Sequence, residues 1–293
     1  MDGKECELRL IRQLPRGLKI ALVLALAASL GLVLKAWSDT MSDPVIKRSE
    51  LVLDDFPAGE AALTIALLAD IHVAGPDMPP SRVERIVAQV NALKPDLVMI
   101  AGDFVSDKRT STLQYSTQEA IAPLAGLRAP LGKIAVPGNH DHWRNFPEVE
   151  RELRANRILL LSNQAVEAGP LAIGGLDDDF TGNADIAATL HKLDALQGAR
   201  LILSHSPDPF PDLPANIGLM LAGHTHCGQI GWPWGGSPAT ASEYGQRYAC
   251  GRVDEDGRSL ITSGGLGTSI LPFRLFTQPE IWLVTVGGHL SAH

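Results

Sequence analysis

Cysteine is nearly absent from this chain, with three in 293 residues, at positions 6, 227 and 250. None belongs to the cluster of metal-type side chains in the main domain, which argues against a thiolate-bound structural zinc. No G-x-S-x-G occurs, and this excludes a serine hydrolase built on a nucleophile elbow. Gly264–Ser269 (GGLGTS) lacks the lysine and helix context of a phosphate-binding P-loop and reads as turn and loop packing. Internal repeats and low-complexity tracts are also missing. So is any excess of positive charge: 25 basic side chains face 33 acidic ones, a net −8. Residues 1–40 carry six basic and four acidic side chains, so the remainder is more acidic still, at a net −10. Such a surface is a poor match to a polyanion, and extended nucleic acid is not an expected partner.

The N-terminus is the first informative segment. Lys4, Arg9, Arg12, Arg16 and Lys19 precede an uncharged apolar run from Ile20 to Leu34, followed by Lys35 and Trp37. Leu18 to Trp37 is long enough to span a bilayer, for which about 17–25 residues suffice. The run also fits the core of a signal peptide, with Ala36-Trp37-Ser38 as a poor cleavage site. An uncleaved anchor is the preferred reading, and a buried helix fits badly behind five cations. No cysteine follows the run and no twin-arginine pair precedes it, so neither a lipoprotein nor a twin-arginine leader is expected. The excess of cations before the span places the N-terminus in the cytoplasm. The expectation is a single-pass protein of a bacterial inner membrane, its main domain on the periplasmic or outer side. On that topology Cys6 is cytosolic, while Cys227 and Cys250 are either paired or free. The expected organisation is a basic segment (1–17), a spanning anchor (18–37), a linker and lead-in (38–62) and one main domain (63–293).

Within that domain, metal-type ligands recur in a fixed order at the ends of short apolar runs. They are Asp70 and His72 in LLADIH, Asp103 in IAGD, Asn139 and His140 in VPGNHD, His205 in ILSH, and His224 and His226 in LAGHTH. Each follows a stretch that reads as a buried strand. In open α/β sheets the residues just past the carboxyl ends of strands converge on one crevice. Taken singly, Gly-Asp or Gly-Asn-His-Asp is ordinary turn chemistry. Five such ends in sequence describe one pocket. Carboxylate, amide and imidazole donors suit manganese, iron or zinc, with magnesium as a further option. Without His140, which is not counted as a ligand, seven ligands exceed one tetrahedral ion and fit two ions sharing a carboxylate, for which Asp103 is the natural bridge.

The order D-x-H, G-D, G-N-H-D, H, G-H-x-H strongly resembles the calcineurin-like metallophosphoesterase superfamily, in its membrane-anchored bacterial phosphodiesterase branch. The resemblance covers the chain from about Leu63 onward. It implies Asp70, His72, Asp103 and His226 around one divalent ion, and Asp103, Asn139, His205 and His224 around the other. It further implies His140 as the acid that protonates the leaving group, and attack by a hydroxide bridging two ions, manganese being the first expectation. Many members carry Asp or Asn three residues after the G-D aspartate, where this chain has Ser106, with Asp107 next to it. Asp141 is either the orienting partner of His140 or a turn residue.

Coarsely, strands alternate with helices, which argues for α/β layers. PPSRVERIVAQVNA (79–92) has the period of an amphipathic helix with proline at its start. Residues 112–127 and 147–155 read as further helices, and 159–162, 166–168 and 171–174 as short strands of a second sheet. The resemblance supplies the arrangement: two mixed β-sheets packed as a sandwich, helices outside, and metals at one edge. His142 is either a substrate contact or loop packing, and His191, His289 and His293 read as solvent-facing. The loop of Trp232, Pro233 and Trp234 lines the pocket, rests on the membrane interface or simply packs. Three functions are then open, in order of preference. The first is a phosphodiesterase acting on a small phosphate ester or lipid phosphate. The second is a pyrophosphatase of a nucleotide-sugar lipid such as a UDP-diacylglucosamine. The third is a non-catalytic metal-binding scaffold, which the full ligand set disfavours. No protein partner is inferable.

Overall fold

The computed structural model describes residues 15–288. Lys4, Cys6, Arg9, Arg12, His289 and His293 lie outside the described residues. The chain opens with helix α1 (Arg16–Met41), which is apolar around its whole circumference and exposed along the upstream part of its length. At about 1.5 Å per residue its length exceeds the ~30 Å of a hydrocarbon core. Pro44 comes within three residues of its end and prevents its continuation.

The helix is longer than the expected 18–37 anchor, and the segment after it is more than a linker. Residues 38–62, expected to be a lead-in, contain strand β1 (Val45–Val52). It pairs in parallel with the last strand, β14 (Glu280–Gly287), from Val45 opposite Glu280 to Val52 opposite Gly287. The first sheet continues from β14 to β2 (Leu63–Ala69), β4 (Leu97–Ala101), β6 (Lys133–Val136) and β7 (Leu159–Leu160). All neighbours are parallel except β14 with β2. The second sheet runs β12 (Gly251–Glu255), β13 (Arg258–Thr262), β11 (Leu219–Ala222), β10 (Ala199–Leu203), β9 (Leu171–Gly175) and β8 (Gln164–Ala168). It is antiparallel only at its two outer pairs. A short ribbon joins β3 (Ala74–Gly75) to β5 (Leu113–Gln114).

The period of two decides which face each side chain covers. Ile65, Leu67 and Ala69 of β2, Met99 and Ala101 of β4, Leu201 and Leu203 of β10, and Leu219 and Leu221 of β11 meet in one core between the sheets. The alternating residues Ala66, Leu68, Val98 and Ile100 face outward and are covered by helix α2 (Pro80–Ala92) through Val83, Ile86, Val87 and Val90. On the far side, Ile202 and Met220 pack with Leu193 of helix α5 (Ile186–Leu193). The protein is thus an α/β sandwich of two mixed sheets with helices outside.

Three local expectations change. Leu159 and Leu160 pair with β6 and belong to the first sheet, not the second. The helix read over 112–127 is confined to α3 (Thr117–Ile121) and a following 3-10 turn, because Ser116 and Glu119 form a capping box there. Helix α4 (Asn139–Ala155) begins eight residues before the expected 147, with a break at Asn145 ahead of Pro147. Its first turn therefore carries the G-N-H-D residues themselves.

Candidate metal centre

All five ligand-bearing segments leave the carboxyl ends of inner strands. Asp70 and His72 follow β2, Asp103 follows β4, and Asn139 follows β6, all in the first sheet. His205 follows β10, and His224 and His226 follow β11, in the second. Every one of these side chains is buried. The turns that aim them are tight. Asp70, His72, Asp103, His224 and His226 all adopt left-handed backbone, with φ between 48° and 70°. This conformation is costly for residues with a Cβ and gathers at functional sites. Gly102 permits the close approach of the β4 and β6 turns, since a Cβ there would stand 2.7 Å from Gly138 N and from His205 Nδ1.

Asp141 fastens those two turns. Its Oδ2 accepts from Gly138 N (3.0 Å) and Asp103 N (2.9 Å), and its Oδ1 from Phe104 N (3.0 Å). Asp141 is accordingly the staple of the Asp103 turn. The carboxylate that contacts His140 is Asp107, hydrogen-bonded to Nδ1 of the ring. Nε2 of His140 lies 3.4 Å from Ser269 Oγ, and its backbone N–H donates to Asp103 Oδ1 at 2.9 Å.

Asp103 sits at the middle of the donors. Its Oδ2 is 3.4 Å from His72 Nε2 and 3.2 Å from His205 Nε2. On one side His72 Nε2 lies 3.1 Å from His226 Nε2, which is 3.5 Å from Asp70 Oδ1. On the other, His205 Nε2 is 3.0 Å from Asn139 Oδ1 and 3.1 Å from His224 Nδ1. Among the described residues, three groupings have ligand atoms close enough to share an ion: Asp70 with His72 and His226, Asp70 with Asp103 and His205, and His72 with Asp103 and His140. His140 thus lies within reach of the ligands as well as beside them.

The electrostatics fit cations. Burial pushes the Asp70 carboxyl up to about 7. Burial, with neighbouring His205 and His140, pulls the His224 imidazole down to about 3, and burial likewise holds His72 and His226 well below the usual range. Neutral imidazoles are the form that ligates metal. Burial also pushes Asp103 up and His205 down, but the opposite charges around each outweigh it together: His205, His72 and His140 around Asp103, and Asp103, Asp70 and Asp178 around His205. Asp103 is held well below the carboxylate range and His205 well above the imidazole range. His205 Nδ1 donates to Ala101 O at 2.7 Å, which leaves Nε2 as the nitrogen that faces Asp103. His72 Nδ1 and His224 Nε2 are buried without hydrogen-bond partners. The donor set therefore fits divalent ions of the manganese, iron or zinc kind.

Residues outside the sequence motifs complete the site. A cleft of about 480 Å³ opens over Asp103, Asn139 and His140. Trp143 and Phe180 line it from the segments after β6 and β9, and Ile230, Ile270 and Leu271 from those after β11 and β13. Arg274 is fully buried, donates to Gly264 O and Gly267 O, and lies 3.3 Å from His226 Nδ1. A lone arginine in PFRLF carries no signal that pattern reading could use. His142 pairs with Asp177 at 2.6 Å and packs on Phe146, which is the loop-packing alternative. Cys227 and Cys250 form a disulfide.

Residues 63–228 match the model of the calcineurin-like phosphoesterase family. The chain is 32% identical over 241 residues to an uncharacterized metallophosphoesterase of Bacillus subtilis, YkuE, covering 78% of this chain and 81% of that one. It is 29% identical over 272 residues to an uncharacterized metallophosphoesterase of Helicobacter pylori, covering 90% and 69%. It is 31% identical over 248 residues to a Bos taurus protein described as a transmembrane protein with metallophosphoesterase domain, covering 76% of this chain and 54% of that one.

Proposed function

Because this chain belongs to the calcineurin-like phosphoesterase family, we propose that it is a membrane-anchored phosphodiesterase working with two divalent metal ions. Asp70, His72, Asp103 and His226 would hold one ion, and Asp103, Asn139, His205 and His224 the other. The observation that carries this reading is the position of Asp103 Oδ2, 3.4 Å from one side's histidine and 3.2 Å from the other's. When bound, two such ions supply positive charge to the phosphate and make shared water acidic enough to ionise near neutral pH.

The chain's own residues supply the rest. Asp141 fixes the Asp103 turn against Gly138, so the shared carboxylate keeps its direction. Asp107 accepts a hydrogen bond from Nδ1–H of His140, which leaves Nε2 as the nitrogen that hands a proton to the departing oxygen. Two separate apolar groups line the cleft, Trp143 with Phe180 and Ile230 with Ile270 and Leu271. This supports a phosphate that carries two substituents rather than one.

Membrane attachment is supported by α1, apolar and exposed, and by the transmembrane description of the Bos taurus relative. The Cys227–Cys250 bridge supports a main domain on an oxidising side, the periplasm in a Gram-negative cell. The test uses the full-length protein in detergent, stripped by chelation and reloaded with Mn²⁺. It should hydrolyse bis(p-nitrophenyl) phosphate faster than p-nitrophenyl phosphate, and only after reloading. Activity confined to the monoester would overturn the diester reading, and full activity in chelator would overturn the metal reading.

A further inference from the structure

One stretch of chain joins the cleft to the apolar helix. Ser269, Ile270 and Leu271 line the cleft, and the next residues along the chain are bonded to the end of α1. Arg274 N donates to Thr40 Oγ1 at 2.6 Å, and Phe276 N to Asp39 Oδ2 at 3.0 Å. Trp37 meets Phe273 edge-on with ring centroids 6.1 Å apart, and Lys35 Nζ stands 5.3 Å from the Phe276 ring centroid. A second stretch is tied to the first. Gln229 Nε2 donates to Leu271 O and Phe273 O, both at 2.9 Å, and Gly231 N donates to Leu275 O at 2.7 Å. That second stretch carries Trp232 and Trp234, whose rings stack 5.5 Å apart.

These two loops are unusually apolar for exposed chain. Ile270 is 75% exposed and Trp234 80%, and Trp37, Trp232, Leu271 and Phe276 are exposed with them. A contiguous apolar patch of this kind marks an interaction surface. Its chemistry is that of a bilayer interface, where tryptophans and a flanking lysine gather at the end of an apolar helix. The bonds to Asp39 and Thr40 hold the loops beside that end, so they share its depth.

We propose that residues 229–236 and 269–276 form the bilayer-seated rim of the cleft, and that the substrate is an amphiphilic phosphodiester whose apolar chain stays in the membrane while its phosphate reaches Asp103 and His140. This rests on the phosphodiesterase function proposed for the same cleft. The apolar wall of Ile230, Ile270 and Leu271 is the path between the two environments. Trp232 and Trp234 lie on the rim outside the cleft and only seat it.

The experiment compares two diesters with the same leaving group, ethyl p-nitrophenyl phosphate in solution and hexadecyl p-nitrophenyl phosphate in phosphatidylcholine vesicles. Full-length, metal-loaded protein is reconstituted into the same vesicles. The hexadecyl ester should be turned over with kcat/KM higher by about tenfold or more, since a long chain concentrates substrate at the rim. Trp232→Asp and Trp234→Asp should each cut the hexadecyl rate by about fivefold and leave the ethyl rate within about twofold, which also reports that the variants are folded. Equal turnover of the two esters by the unmodified protein, or parallel losses in the variants, overturns the proposal while the phosphodiesterase reading stands. Hydrolysis of neither ester overturns both.

Discussion

His140 and Asp107 form a hydrogen-bonded pair at the edge of the metal centre, the aspartate on Nδ1 and the Nε2 side turned toward Ser269 Oγ. Asp107 stands four residues after Asp103 and one after Ser106, the position where the family resemblance leads one to expect Asp or Asn. The displacement by one position leaves a carboxylate in place for His140.

That pair makes a kinetic prediction. His140→Ala should lower turnover of esters with poor leaving groups by about 10²–10⁴-fold. For p-nitrophenyl esters, which need little protonation, the loss should be smaller. Asp107→Asn should cost about tenfold, the lower range for a residue acting through another. Metal content, read by elemental analysis, should stay near that of the unmodified protein in both. Equal losses across leaving groups, or an ion lost with His140, would show that His140 is not the acid.

Metal uptake should depend on pH in a defined direction. In the metal-free protein Asp70 keeps its proton up to about pH 7, because burial raises its carboxyl, and His205 keeps its proton well above the imidazole range, because Asp103 holds it there. Both groups must lose that proton to ligate. Uptake therefore releases protons, and affinity should climb as pH rises through 7, by about tenfold per pH unit for each proton displaced. Titrating Mn²⁺ into chelator-treated protein at pH 6, 7 and 8 measures this. A flat affinity across that range would mean that uptake displaces no proton from Asp70 or His205.

Orientation in the membrane is open to a reporter test. Alkaline phosphatase fused at the C-terminus should be active, and a reporter that requires the cytosol should be dark, because five cations precede the apolar run. The reverse pattern would place the cleft on the cytoplasmic side.

The disulfide should matter to more than the loop that it closes. Cys227 directly follows His226, and its partner is 23 residues away. Cys250→Ser should lower stability by about 2–4 kcal/mol, visible as a lower melting temperature, and should weaken metal retention through the freed His226 turn. Unchanged melting together with full metal retention would assign the bridge no part in either.

The inner strands are legible in the sequence because each is a short apolar run closed by a turn and a polar donor, as in LTIALLAD and RLILSH. The donors are legible for the same reason: each sits just past a strand's carboxyl end. Strand β1 is not, since VIKRSELV carries charge on an edge and follows a proline. The two residues of β7 are too short for a pattern to say which sheet they join, and pairing alone decides it. The roles of Asp107 and Asp141 depend on where turns cross in space. Asp141 is two residues from Asn139 in sequence, yet its carboxylate is spent on the turn from β4.

The last turn of α1 is structural fabric of the domain that follows it. Arg82 donates to the carbonyls of Thr40 and Ser42, at 2.7 Å and 2.8 Å, while Thr40 and Asp39 accept from the backbone of Arg274 and Phe276. A soluble fragment that starts at residue 43, the obvious reagent for crystallisation or screening, would lack both acceptors for those N–H groups. Arg274, whose guanidinium lies 3.3 Å from His226 Nδ1, would then be anchored from one end only. A fragment that retains residues 36–42 keeps this seam closed, and comparing the two fragments in manganese binding measures what the end of α1 does for the centre.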